Sequence, residues 1–212
     1  MRDRLRALAL RGVAWTLRGR RAISAKPADR LRVLLIRPDH LGDVLFLTPA
    51  LAALRRAQPA AHITALVGPW AEPVLRGNPD LDGIEILAFP WFDRKRARTL
   101  VAPYVSLVRA AASLKGRFDI AIVLRFDHWW GGWLAAAAGI HRRIGYATPQ
   151  LAPFLTEAVP YRPGRHEVLQ SLTLTARLGT PGSTRPDEAP LRYFQSASAV
   201  TEAARWTSGS RP

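Results

Sequence analysis

Four apolar runs, LRVLLI (31–36), HITALVG (62–68), GIEILAF (83–89) and FDIAIVL (118–124), recur along the chain with helix-period stretches between most of them. Near-continuous runs of leucine and β-branched residues suit strands covered on both faces, and intervening helices impose parallel pairing through right-handed crossovers. The expected fold is therefore α/β, a parallel sheet with helices on both faces. Leu47, Leu51 and Leu54 mark one helix, and Leu100, Tyr104, Leu107, Val108 and Ala111 a second over 97–115. WLAAAAG ends a third on Gly139, and HEVLQSLTLTARLG (166–179) a fourth on Gly179. RRIGYA (142–147) adds a fifth strand, PGSTRPDEAP (181–190) reads as a linker and TSGSRP as a frayed end.

In such a sheet, ligands bind beyond the carboxyl ends of the strands, so the turn after the first strand is the first place to look for chemistry. There LLIRPDHLGDVLFLTPAL (34–51) gathers Asp39, His40, Gly42 and Asp43 just past Arg37-Pro38. Gly42 permits a close backbone approach, and Thr48-Pro49 reads as the N-cap and first residue of the main helix. The spacing matches neither G-x-G-x-x-G nor G-x-x-x-x-G-K-[ST], which leaves a dinucleotide or phosphate-loop site unsupported. Asp43 falls in the same turn, where capping the following helix is one role open to it. Asp39 after Pro38 reads as a turn-making residue, and His40 as either a support for acidic groups or a solvated side chain.

The same logic makes RFDHWWGGW (125–133), after the fourth strand, a second patch. Arg125 and His128 suit anionic groups, while Trp129 and Trp130 either stack on a sugar face, touch lipid or pack against the neighbouring helix. His141-Arg142-Arg143 reads as a solvated strand entrance and His166-Glu167 as a helix start. The five histidines are scattered, with no pair at ligand spacing, so no metal site is expected.

Charge adds a constraint on partners. The formal net charge is +15, and only Lys26, Lys95 and Lys115 are lysine, so the excess is almost wholly arginine. Such a field attracts nucleic acid, anionic lipid or an acidic sugar without choosing among them. Residues 1–30 carry nine basic against two acidic side chains, and Arg6, Arg11 and Arg18 interrupt every apolar run well short of a membrane span or secretion signal. As a helix, this extension lines up Arg4, Arg11 and Arg18 between apolar flanks that include Leu8 and Trp15, which suits either an anionic membrane surface or packing on its own domain. With no cysteine, neither a disulfide framework nor a thiolate metal site is available, which fits a cytoplasmic protein.

Taken in order, VLLIRPDHLGDVLFLTPALAALRRAQP, HITALVG, NPDLDGI, FDIAIVL, RRIGY and HEVLQSLTLTARLG resemble the N-terminal half of glycosyltransferase family 9, the heptosyltransferases of lipopolysaccharide core assembly. The resemblance covers about residues 31–180. It implies a GT-B fold, with two Rossmann-like domains facing one cleft, the first holding the acceptor and the second a nucleotide-sugar donor such as ADP-heptose. It further implies inverting transfer without metal or other cofactor, and it makes the aspartate of the GD pair, Asp43, the general base. The acceptor-binding set on this side is Arg37, Asp39, His40, Gly42, Arg125, His128 and Trp129, facing an anionic glycan or glycolipid. The apolar 125–133 turn departs from the polar turn expected of the family, so acceptor specificity does not carry over.

After Pro190 only LRYFQSASAVTEAARWTSGSRP remains, so residues 181–212 are expected to be a linker and the start of a donor domain, and the chain an acceptor-side half, fragment or split enzyme. The alternatives are a non-catalytic interaction module at the inner face of the plasma membrane and a nucleic-acid binder. No recognised nucleic-acid motif supports the second, and no specific nucleic-acid partner is expected.

Overall fold

The computed structural model describes residues 30–90, 92, 101–182 and 185–194, with isolated positions 12 and 201. The expectations for the amino-terminal basic extension, for the first residues of the 97–115 helix and for the TSGSRP end lie outside the described residues.

Six strands form one sheet: β1 (Arg32–Arg37), β2 (His62–Val67), β3 (Gly83–Ile86), β4 (Ile120–Val123), β5 (Arg142–Tyr146) and β6 (Glu157–Val159). Their order is β3-β2-β1-β4-β5-β6, and every neighbouring pair is parallel. Strands β1 and β4 lie at the centre, and the chain builds outward from β1 in one direction before crossing to β4 and building in the other. That reversal is the topological switch point, where loops diverge to opposite faces and leave a crevice at the carboxyl edge.

Alternation along β1 explains the two layers. Val33 and Leu35 face one core, which is covered by α1 (Leu41–Leu45), α2 (Thr48–Ala57), α3 (Glu72–Leu75) and α6 (Glu167–Thr175). Leu34 and Ile36 face the other, against α4 (Ala102–Leu114) and α5 (Trp129–Ala137). Both faces of β1 are fully buried, which is why its sequence is continuously rather than alternately apolar. Gly139 and Gly179 take positive φ values of 75° and 86° after their helices, as the sequence predicts.

Several local expectations are corrected. Strand β6 was not predicted: EAV is too short to display a period, and it exists because β5 leaves an edge for it to pair with. Thr48 is not an N-cap. It lies inside the first turn of α2, its hydroxyl donates to the Leu45 carbonyl at 2.8 Å, and the short α1 precedes it. On α4, Leu107 and Ala111 point to the core as expected, but Tyr104 and Val108 are exposed, since Ala110 and Leu114 complete the inward face instead. Arg142 and Arg143 do not form a solvated entrance. Arg142 pairs with Glu157 at 2.9 Å, and Arg143 donates to the Phe154 carbonyl at 2.6 Å.

Candidate functional site

The switch point brings together the loops after β1 and β4, and with them every residue expected at the site. Arg37 ends β1, and Asp39 follows it through Pro38. Both side chains are only 2% exposed. Arg37 Nε lies 2.6 Å from Asp39 Oδ2, but neither atom has a hydrogen-bond partner, so the contact is coulombic. The second Asp39 oxygen accepts from Arg125 across the crevice. Arg125 also pairs with Asp127 at 2.6 Å, and its guanidinium lies over the rings of Phe92 and Phe126 at 5.4 and 6.0 Å. From α6, Glu167 accepts from Arg37 NH2 at 3.0 Å. Arg37 NH1 is buried without a partner.

Asp39 is therefore not the turn-making residue its position after Pro38 suggests. Its carboxylate makes no local backbone bond and links two arginines on the central strands, while its carbonyl accepts from Trp70 Nε1 at 2.9 Å. Two guanidiniums meet three carboxylates here, so the cluster is not a cationic patch waiting for an anion. An incoming acidic group gains Arg125 only by displacing Asp127, the more exposed of its two carboxylates. Burial works against the Arg125 charge, yet Asp127 and Asp39 raise its pKa and keep it protonated.

The rest of the set divides by exposure. His40 is exposed at the start of α1 and lies 5.5 Å from the Trp70 ring. Gly42 is also exposed, and a Cβ there would meet nothing within 4 Å, so the fold itself does not demand glycine. Asp43, in the first turn of α1, is half-buried and makes no hydrogen bond or ion pair with any other described residue, so it does not cap the helix. His128 is corrected. It is 5% exposed among Phe89, Phe92 and Trp130, and burial pushes its pKa down to about 3. A neutral imidazole in an aromatic nest cannot serve as a cation for an acidic ligand. Trp130 is buried and donates from Nε1 to the Pro103 carbonyl at 3.2 Å, whereas Trp129 is half-buried beside Trp133.

Sequence reasoning missed Glu167, Asp127 and Trp70. Glu167 was read as part of the family pattern or as a helix start, and not as a partner of Arg37, because 130 residues separate the two. Asp127, two residues from Arg125, carried the available signal, an Arg-x-Asp spacing. Trp70 had a signal in Gly68, where a Cβ would sit 2.3 Å from the Trp70 ring. Among the described residues, no three His, Asp or Glu side chains group as metal ligands would.

No protein-family model matches the sequence, and no curated protein matches it. Solved structures do. A glycosyl transferase family 9 structure from Veillonella parvula DSM 2008 superposes with a TM-score of 0.69 at 24% identity, over 87% of this chain and 50% of that one. The E. coli ADP-heptose lps heptosyltransferase II gives 0.62 at 17%, over 84% and 51%. The E. coli heptosyltransferase WaaC with ADP gives 0.57 at 18%, over 73% and 50%. The chain thus spans about half the length of the solved structures it matches. In fold, the chain is a Rossmann-like domain similar to about half of each of these glycosyltransferase structures.

Proposed function

We propose that this chain is the acceptor-side half of an inverting glycosyltransferase, with Asp43 as general base. The reaction moves a heptose-like sugar from a nucleotide-sugar to a lipopolysaccharide-core or other cell-envelope glycan, at the cytoplasmic side. The observation that carries the reading is Asp43 itself: a half-buried carboxylate with no partner among the described residues, on the loop that leaves the central strand at the switch point. Carboxylates elsewhere on the sheet rim, such as Asp39, Asp82, Asp119 and Glu157, are spent on arginines. One left unpaired at a crevice is free to take a proton.

In the transfer, the Asp43 carboxylate accepts the acceptor hydroxyl proton as that oxygen attacks the donor's anomeric carbon from the face opposite the leaving group. The bond from the anomeric carbon to the diphosphate oxygen breaks and its electron pair leaves with the nucleotide diphosphate. No protein acid is required if that charge is stabilised, and no metal is invoked. The nucleotide-sugar side belongs to a second Rossmann-like domain. Support for an adenosine diphosphate sugar comes from the E. coli heptosyltransferase of similar fold, solved with ADP and with ADP-2-deoxy-2-fluoro heptose. On the acceptor side, Arg125 offers the half-exposed guanidinium, with His40, Gly42 and Trp129 on the flanking loops.

The test joins this chain to a donor-side domain from a family 9 enzyme and follows labelled sugar from ADP-heptose and other nucleotide-sugars onto lipopolysaccharide-core acceptors. Transfer that Asp43→Asn lowers by roughly 100-fold, with acceptor binding retained, is the expected result. Near-normal turnover of Asp43→Asn would remove it from the mechanism. Absence of acceptor binding by the folded chain would remove the acceptor-side assignment.

A further inference from the structure

Positions 94–118 hold seven arginines and lysines and no acidic residue, although one of the seven, Arg117, is paired with Glu85 of β3. This stretch contains α4, whose inward side chains, Leu107, Ala110, Ala111 and Leu114, are committed to the core. The outward face is apolar too: Val101 is 64% exposed, Tyr104 48%, Val105 42% and Val108 66%. Their spacing is that of one helical stripe. Tyr104 meets the Trp133 ring of α5 at 5.7 Å, edge to face, so the stripe continues onto the neighbouring helix. Neither helix carries an acidic side chain. Arg109 is exposed beside Val108, and Arg94, Lys95, Arg96 and Arg98 precede Val101 in the sequence.

Four large apolar side chains in one exposed stripe call for an occupant, and the surrounding charge selects among occupants. A second copy packed about a two-fold axis would set one cationic stretch against another, a self-repelling arrangement. A nucleic acid would satisfy the arginines and leave the valines in water. An anionic bilayer surface meets both demands: valines enter the boundary between headgroups and acyl chains, Tyr104 and Trp133 sit at headgroup level, and the cations meet lipid phosphates. No helix among the described residues is long and apolar enough to cross a membrane, so α4 would lie on the surface.

We propose that the outer face of α4, continued by Trp133, docks this protein on anionic lipid. The site lies in a different stretch of the sequence from the basic amino-terminal extension and does not depend on the transferase assignment. The Trp130 bond to the Pro103 carbonyl ties the first turns of α4 and α5 together at the carboxyl edge of the sheet, the edge that holds Asp39 and Arg125. A lipid-anchored molecule held there would reach the crevice without leaving the membrane.

The experiment uses the whole chain with vesicles of phosphatidylglycerol and phosphatidylcholine, and with phosphatidylcholine alone. The folded Val105→Glu/Val108→Glu double variant should bind the anionic vesicles at least about tenfold more weakly than the unaltered chain, with an unchanged melting curve, and the loss should persist when residues 1–25 are deleted. Because the chain has no cysteine, Val108→Cys carries a single environment-sensitive dye, whose emission should shift to the blue on anionic vesicles only. This second measurement stands if the double variant fails to fold. Unaltered vesicle binding by the folded double variant would overturn the proposal, as would a dye unmoved while the protein is vesicle-bound. A dimer that the double variant converts to monomer, with vesicle affinity unchanged, would assign the face to self-association instead.

Discussion

The two edges of this sheet use the same chemistry, arginine against carboxylate, to different ends. At the amino edge, Asp119 accepts from the Arg32 amide at 2.9 Å and from its guanidinium at 2.8 Å, tying β1 to β4. Asp82 accepts from the Ile63 amide at 2.8 Å and pairs with Arg55, and Glu157 sits between Arg142 and Arg177. These pairs are partly exposed, and every carboxylate has its partners. At the carboxyl edge, Arg37 and Asp39 are almost wholly buried, yet Arg37 Nε and NH1, Asp39 Oδ2 and His128 Nδ1 have no hydrogen bond. An edge whose carboxylates all hold partners is a clasp, even though Asn78 Nδ2 is buried there without a hydrogen bond. An edge that buries charge against charge, with some polar atoms lacking a hydrogen bond, is costly to build, and such an arrangement is where a functional site is sought.

The sharpest way to break the comparison is Asp39→Ala. Removing the one carboxylate that joins both arginines leaves Arg37 buried against Glu167 alone, and such a loss costs about 3–5 kcal/mol. Asp39→Asn should be nearly as harmful, whereas a turn residue would tolerate it. Chemical denaturation measures both, and a cost below about 1 kcal/mol for Asp39→Asn would mean that the hub is only a surface pair. Next in size is Asp43→Asn. With no partner to lose, it should leave the denaturation midpoint where it was while lowering transfer in the joined enzyme about 100-fold.

How far the sequence foretold this depends on the range of the interaction. The sheet was legible because burial on both faces leaves a local trace in LRVLLI and FDIAIVL, and because Gly139 and Gly179 mark helix ends. That the two candidate loops share an edge was legible too, since strand order alone places residues 37–43 and 125–129 there. The partners were not. Asp39 looked like a turn residue because its ion pair is with Arg125, 86 residues away, and nothing near Pro38 records that. His128 read, with Arg125, as suited to anionic groups, while the nest that neutralises it draws on Phe89 and Phe92 from a different loop. On α4 the failure was of another kind: a helix apolar on both sides offers no period from which to choose the inward face.

Acid titration separates the edges by pH. His128 has its folded pKa pushed far below the ordinary histidine value, to about 3, by burial. The unfolded chain therefore takes up this proton first, and stability present above about pH 6.5 declines as pH falls from there toward 3, by at most about 1.4 kcal/mol per pH unit. His128→Phe keeps a ring in the nest and removes the titration, so the slope between pH 6 and about pH 4.5 should flatten. A slope unchanged in this variant would show that the imidazole is protonated in place.

The smallest effect belongs to the amino edge and falls in a lower window. The Arg32 hydrogen bond holds Asp119 below the ordinary carboxylate value against the opposing pull of burial. Burial alone would raise Asp82 and Glu157, but the Ile63 amide and Arg55 hold the first down, and Arg177 and Arg142 the second. Depressed carboxylate pKa values give stability that is complete above the unfolded values, near pH 4, and is lost as pH falls through the folded ones. Asp119→Asn keeps an oxygen for the Arg32 amide and removes only the charge, so at neutral pH it should cost no more than about 1 kcal/mol, as partly exposed pairs do. That loss should shrink with added salt, and shrink further as pH falls through the lowered folded pKa of the native carboxyl. If Asp119→Asn instead cost as much as Asp39→Ala, the amino edge would be as dependent on its charges as the crevice, and the division between clasp and site would fail.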